Sequence, residues 1–265
     1  MAKCNAAINY GAKLLRQITC CVLLIGNELL SGRTRESNLH YIAEYLGAKG
    51  IRVAEARVIP DIHQRIADTV NEVRKKHDYI FTTGGIGPTH DDITAESIAL
   101  AFDLPLVENE TIANRIKTRT PRDSTLTNRL RMARVPQGAS LIENLTGGPQ
   151  GFYLENVYVM AGIPSVLRAM LPTIDIASCA PLHSCSLEVA LGESHIARQL
   201  DEVQRQFPML EVGSYPFVRD GQIGTSVVFR GTEIEQLSAA FDTTRQVLLR
   251  LGARPTSETF DWDTS

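Results

Sequence analysis

Hydrophobic and polar positions follow two rhythms along this chain, and the switches between them predict its elements. Thr19 to Gly26 (Thr-Cys-Cys-Val-Leu-Leu-Ile-Gly) is an unbroken apolar run closed by glycine. A run of that kind reads as a central parallel strand, buried on both faces. Leu39, Ile42 and Leu46 then share one stripe of a helix, with Asn38 as its cap and Gly50 as its end. Ile51 to Ile59 reads as a second strand, stopped by Pro60-Asp61. Ile66, Val70 and Val73 mark the next helix, and Arg74, Lys75 and Lys76 fall in its last turn, where cations suit the dipole. Tyr79 to Phe81 is a third strand, followed by helical spacing over Ala95 to Phe102. Three strand–helix alternations predict a parallel sheet covered by helices, an α/β fold.

Further on the pattern changes. Thr118 to Thr127 is rich in Thr, Arg, Pro and Asp and reads as an exposed loop between two short helices. Phe152-Tyr153-Leu154 and Val157-Tyr158-Val159-Met160, split by Glu155-Asn156, predict a hairpin. Gly162-Ile163-Pro164 opens a helix over Ser165 to Leu171. The pattern breaks around Pro172 to Pro181, where a domain boundary is expected. Strand patterns at Leu187 to Ala190, Leu210 to Tyr215 and Thr225 to Phe229, with helices through Ile196–Val203 and Ile234–Leu251, form a small α+β unit. The expected organisation is an N-terminal extension over 1–18, a first domain over 19–172 and a small domain over 183–256. The acidic tail, Ser257 to Ser265, reads as frayed.

The densest chemistry lies after the third strand, in Thr-Thr-Gly-Gly-Ile-Gly-Pro-Thr-His-Asp-Asp-Ile-Thr over Thr82 to Thr94. Strand, glycine-rich turn and helix start converge unpaired backbone N–H groups on one point, which suits an anion. Neither a Gly-Lys-Ser/Thr nor a third glycine at dinucleotide spacing follows, so this is not a P-loop or a Rossmann fingerprint. In the functional reading Gly84, Gly85 and Thr89 donate to phosphate oxygens. Asp91 or Asp92 holds a hard cation such as Mg²⁺, whose oxygen ligands include carboxylates and substrate phosphates. One of these aspartates, or Thr94, is alternatively only the cap of the next helix. In open α/β sheets ligands bind beyond the carboxyl ends of the strands. The loop Asn27 to Arg33 lies at such an end and brings Glu28, with Ser31, Gly32 and Arg33 as anion contacts and Arg33 or Arg35 as neutralising charges. His90 has no His or Cys neighbour and reads as an exposed or structural histidine.

Composition narrows the class. A net charge of −3 gives no basic excess of the kind nucleic-acid surfaces show. No stretch reaches the roughly 18 uninterrupted apolar residues of a membrane span. Five cysteines without metal spacing (Cys4, Cys20, Cys21, Cys179, Cys185) read as free thiols of a reducing, cytoplasmic setting. Lys3, Lys13 and Arg16, with no acidic residue before Glu28, read as a simple extension rather than a transit signal.

Gly84-Gly85-Ile86-Gly87-Pro88-Thr89-His90-Asp91-Asp92-Ile93-Thr94 closely resembles the Gly-Gly-x-Gly-Pro-Thr-x-Asp-Asp-x-Thr signature of the molybdopterin-binding (MoaB/Mog-like) domain family. Ile25-Gly26-Asn27-Glu28-Leu29-Leu30-Ser31-Gly32 resembles the family's first loop, and the likeness runs through Asn144 and Gly151 to Gly162-Ile163-Pro164. It is most similar to the N-terminal half of competence/damage-inducible protein A and the corresponding domain of FAD synthetase. Gly213-Ser214-Tyr215-Pro216-Phe217 is similar to the small domain that follows in those relatives.

The resemblance implies a three-layer α/β/α domain, a homo-oligomer, that takes a pterin or a nucleotide pyrophosphate in the crevice. Some relatives adenylate molybdopterin, and others hydrolyse ADP-ribose- or FAD-like pyrophosphates with a divalent metal. It implies Glu28, Asp91 and Asp92 as catalytic metal ligands, and Gly84, Gly85, Gly87, Thr89, Thr94, Ser31 and Asn38 as the substrate and phosphate contacts. The alternative it leaves open is molybdopterin binding, or a part in molybdenum cofactor synthesis, without turnover. Two positions depart: Asn27 stands where Asp is common, and Ala161 where proline is usual. No amidase or adenylyltransferase domain follows the small unit, so neither of those activities is expected.

Overall fold

The computed structural model describes residues 17–120, 124–176 and 180–262. The expected N-terminal extension lies outside them apart from residues 17 and 18, as do Cys4 and Cys179. The chain divides into two compact units, one of Met1–Ile42 with Arg52–Asp175 and the other of Ala43–Ile51 with Ile176–Ser265. No helix among the described residues is long and apolar enough to cross a membrane.

The first unit is built on a six-stranded sheet. Its strands are β1 (Thr19–Ile25), β2 (Arg52–Ile59), β3 (Tyr79–Thr83), β6 (Ser140–Ile142), β7 (Gly151–Leu154) and β8 (Val157–Met160), in the order β2-β1-β3-β8-β7-β6. A separate pair, β4 (Leu106–Glu108) and β5 (Arg134–Pro136), is antiparallel. β1 runs parallel to both β2 and β3, and β3 parallel to β8. The expected hairpin closes the sheet, with β7 antiparallel to β8 and to β6. All of β1 beyond Thr19 is buried, which is why it reads as one apolar run.

The helices up to Met170 are α1 (Asn27–Leu30), α2 (Asn38–Gly47), whose residues from Ala43 onward count with the second unit, α3 (His63–Val73), α4 (Thr94–Ala101), α5 (Glu110–Arg119), α6 (Ser124–Leu130) and α7 (Pro164–Met170). Two details differ from the sequence reading. Glu36, not Asn38, caps α2, its carboxylate accepting from the Asn38 and Leu39 N–H groups. Arg74 to Lys76 fall just past the end of α3, where Arg74 reaches Glu155 and stacks on Phe102. Rings line the sheet: Phe81 stacks on Tyr158, and Tyr158 on Tyr153, at centroid distances of 5.3 and 5.2 Å.

The second unit is a four-stranded antiparallel sheet with two helices. β9 (His183–Val189), β10 (Glu211–Arg219), β11 (Gln222–Gly231) and β12 (Pro255–Phe260) lie in the order β10-β11-β9-β12, with α8 (Ala197–Gln206) and α9 (Ile234–Arg250). Leu187, Val227, Phe229, Leu237 and Ala240 form its fully buried centre. Here the tail corrects the sequence reading. Pro255–Phe260 is a strand paired with β9, Asp261 accepts from the Ser184 N–H, and Phe260 and Trp262 pack on the core. Its middle residues Thr256 to Thr259 are polar and exposed, so the strand carries no apolar alternation by which local pattern would mark it.

Phe260 lies 4.7 Å from Phe241 and 5.3 Å from Trp262 between ring centroids. Phe260→Ala is expected to destabilise this unit by about 2 kcal/mol, somewhat less than a fully buried Phe→Ala. The single tryptophan, Trp262, reports the shift of the urea midpoint by fluorescence; an unmoved midpoint would mean a loose tail.

Candidate functional site

Because β1, β2, β3 and β8 are parallel, the segments after them gather at one end of the sheet. Gly84 is the pin of that end. Its φ is +106°, and a Cβ there would run into the carbonyl oxygen of Ile25 at the end of β1. Its N–H donates to Met160 O at the end of β8 at 3.1 Å. Its carbonyl accepts from the Thr94 hydroxyl at 2.9 Å, and Gly85 O accepts from the Thr94 N–H at 2.9 Å. Gly85 is also left-handed, at +67°, with Thr94 filling the space a side chain would need.

These contacts revise two assignments. The Gly84 N–H is already bonded and so is not a phosphate donor. Thr94 is fully buried, and its hydroxyl ties the turn together rather than meeting a ligand. Thr89 and Asp92 close the next corner. Asp92 Oδ2 accepts from the Thr89 N–H at 2.8 Å and from its hydroxyl, while the Asp92 N–H returns to Thr89 O at 3.3 Å. One oxygen of Asp92 is therefore a loop-closing acceptor, packed against Gly87. The Thr89 hydroxyl also holds the neighbouring Asp91 carboxyl below the usual range, with the Asp91 N–H and His90 adding to the effect. The Thr89 hydroxyl thus serves both carboxyls of the acidic pair. His90 is almost wholly exposed, as expected.

On the neighbouring loop Glu28 folds back over Gly26, and Ser31 ends α1 with its hydroxyl on Glu28 O. Asp61, after β2, is the residue that sequence reasoning missed. It accepts from the Asn27 N–H at 2.8 Å. Burial pushes its carboxyl up, the Asn27 N–H opposes this, and the charges of Glu28 and Asp91 raise it further. Asp61, after β2, thus feels the carboxylates of residues that follow β1 and β3. Pro60-Asp61 was legible as a strand stop, but nothing in the pattern said that β2 would lie next to β1.

The donor set consists of carboxylate oxygens, which fits a hard divalent cation. The ligand atoms are not pre-gathered. Among the described residues, the group of three with ligand atoms all within 4.8 Å is Cys21, Glu55 and His77, elsewhere on the sheet. Asn38, behind the crevice, is nearly buried; its Nδ2 donates to Gly162 O at 2.7 Å, and its Oδ1 has no partner among the described residues.

A cavity of about 570 Å³ opens next to the glycine turn. Pro88 of the glycine turn lines it, with Arg115 and Arg119 of α5, Arg129 of α6 and the loop Glu143 to Gln150. Arg115 donates to Gln150 at 3.1 Å and Arg129 to Thr120 at 3.3 Å, and Arg119 lies over Gly147. Asn144 braces the loop by donating to Pro149 O and accepting from the Thr146 N–H. Among the described residues none of the three arginines has a carboxylate partner, and Glu143 is the single acid in the wall. Of the three, only Arg119 falls in the Thr118–Thr127 stretch read from the sequence as a loop; their convergence depends on how α5 and α6 pack.

A parallel-dominated α/β sheet with a glycine turn and acids at its strand ends defines a class, and comparison with known proteins specifies it. Residues 21–177 match the family described as probable molybdopterin binding domain, and the chain belongs to that family. Residues 181–250 match the family described as FAD synthase, middle domain. A protein of Archaeoglobus fulgidus is 31% identical over 86% of this chain and 96% of its own length. A putative competence-damage inducible protein of Clostridium beijerinckii is 31% identical over 69% of this chain, which spans only 47% of that protein. Among solved structures, the protein CinA of Thermoplasma acidophilum, described as of unknown function, is 30% identical with a TM-score of 0.55. That match covers 58% of this chain and 94% of the other.

Two outcomes follow from the geometry. Gly84→Ala adds a Cβ against the Ile25 carbonyl at a left-handed φ, so a loss of at least about 3 kcal/mol is expected in urea unfolding. A carboxyl raised in the folded state contributes stability below its ordinary range and loses it as pH rises through the raised value. Asp61→Asn, which keeps an acceptor for the Asn27 N–H, is therefore expected to gain on wild type near neutral pH. That advantage should vanish in acid; a difference that does not change with pH would show that Asp61 feels no repulsion.

Proposed function

We propose that the chain is a divalent-metal-dependent hydrolase of nucleotide pyrophosphates of the ADP-ribose or FAD type. The observation that carries this reading is an arginine-lined cavity that has Pro88 of the glycine turn in its wall, three residues before Asp91 of the same turn. A diphosphate needs cationic donors for its oxygens, and guanidinium groups without acid partners offer them in a fixed fork. The carboxylates then require a cation between themselves and the phosphates. When bound, a divalent cation supplies Lewis-acid polarisation of the phosphoryl oxygens and lowers the pKa of water.

Glu28, Asp61 and Asp91 are the residues to hold it, with the free oxygen of Asp92 alongside. Arg115, Arg119 and Arg129 orient the diphosphate, and the rigid glycine turn keeps Pro88 and Asp91 at a set distance from it. In the reaction water adds to one phosphorus as the bridging P–O bond breaks, leaving two monophosphates. A cavity of this size has room for a nucleoside as well as the diphosphate.

A second reading, binding of molybdopterin without turnover, is favoured by the unpartnered Asn38 Oδ1 and by Asn27. An acceptor without a donor suits the N–H groups of a pterin, and an amide replaces one carboxylate. Cytoplasmic placement and assembly as a homo-oligomer accompany either reading as proposals.

The purified protein with Mg²⁺, Mn²⁺ or Co²⁺ is expected to convert ADP-ribose or FAD to monophosphates, separable by chromatography. Asp91→Asn should lower kcat at least about ten-fold. Arg119→Ala should raise KM by about ten-fold, the size of one lost charge-assisted hydrogen bond. Intact substrates under all three cations sink the hydrolase, and calorimetric binding of a pterin without product would then support the second reading.

A further inference from the structure

We propose that Cys21, Glu55 and His77 form a binding site for a borderline transition-metal cation such as Zn²⁺, at the amino-terminal end of the parallel sheet and independent of the glycine-turn crevice. Cys21 is the third residue of β1, Glu55 lies on β2, and His77 sits in the turn between α3 and β3. The glycine turn follows the opposite ends of these strands. One thiol, one imidazole and one carboxylate whose ligand atoms all lie within 4.8 Å make the donor set that Zn²⁺ takes.

The backbone brings them together by a specific irregularity. Cys20 pairs with Val53, but Cys21 pairs with Glu55, so β2 carries an extra residue at this point. A bulge of this kind re-aims side chains, and here it sets the Glu55 carboxylate beside the thiol. His77 Nε2 is already 3.2 Å from Glu55 Oε2. Ligand atoms of a tetrahedral zinc centre stand about 3.4–3.6 Å apart at ordinary Zn–N, Zn–O and Zn–S bond lengths. Only the thiol needs to close in.

The surroundings are those of an oriented ligand set. His77 Nδ1 faces the Thr19 hydroxyl at 3.4 Å, and Thr19 is in turn held by Asp78, which fixes the ring with Nε2 inward. Arg57 binds Glu55 Oε1 and Glu72, leaving Oε2 as the inward oxygen. Cys21 is fully buried, while Glu55 is about one-third exposed and gives the cation a way in and a fourth position for water. Without metal the thiol is protonated, since burial first and Glu55 next push it up to about 12. Binding therefore forms a metal–sulfur bond and releases that one proton, with no change in oxidation state.

Cobalt(II) titration of the full chain tests the site, because a thiolate ligand adds a near-ultraviolet charge-transfer band that carboxylate sites lack. Wild type is expected to develop that band with one equivalent, and Zn²⁺ should abolish it. Cys21→Ala should lose the band, and His77→Gln should weaken cobalt binding at least ten-fold. Cys20→Ala should keep it, which separates this thiol from its neighbour. Absence of the band in wild type, or its survival in Cys21→Ala, overturns the proposal. Asp91→Asn leaves the band in place, so failure of the hydrolase reading and failure of this one are read separately.

Discussion

Three strand ends meet at Gly84, and there is no room at that point for a side chain. The Gly84 N–H takes the Met160 carbonyl, the Gly84 carbonyl takes the Thr94 hydroxyl, and the missing Cβ lets Ile25 O come into contact. Gly162 lies against the Gly84 Cα on the other side, leaving a hypothetical Cβ only 3.2 Å from it. Each bond contributes about 1 kcal/mol, but together they leave the turn a single conformation. The Gly84 N–H and the Thr94 hydroxyl, pinned in this way, belong to the frame of the crevice rather than to its ligand contacts.

What remains to meet a ligand is divided by charge. Acids follow three strand ends, and arginines from two helices line a cavity that Pro88 of the glycine turn helps to wall. Burial first, and then the charges of Glu28 and Asp91, raise the Asp61 carboxyl, and among the described residues Arg115, Arg119 and Arg129 have no carboxylate partner. Each cluster is unfavourable alone, and a diphosphate with a cation satisfies both at once. That complementarity is the physical content of the hydrolase proposal, and pterin binding draws on the same turn with fewer of the charges.

The second unit has a different logic. Its sheet is antiparallel, with one face on α8 and α9 and the other polar, so its strands alternate instead of running apolar. β12 departs from that rule: its middle residues are polar and exposed, and so it reads as a tail. Only pairing with β9 shows that Phe260 and Trp262 point to the core.

The sequence by itself determined the parallel strands, the hairpin, the helices between them and the position of the glycine turn, because all of these are written in local periodicity and backbone-permissive residues. It also marked Glu28, Asp91 and Asp92 as the acids of the turn and its neighbour loop. Tertiary structure alone decided which polar groups were already used. Gly84, Thr89, Thr94 and one oxygen of Asp92 bond to partners within the frame, and Asn38 turns to Gly162 instead of capping α2. It alone brought Asp61 to Glu28, three arginines to one cavity and Cys21 to His77. Such pairings join residues far apart in the chain, and no local pattern encodes which strands and helices will be neighbours.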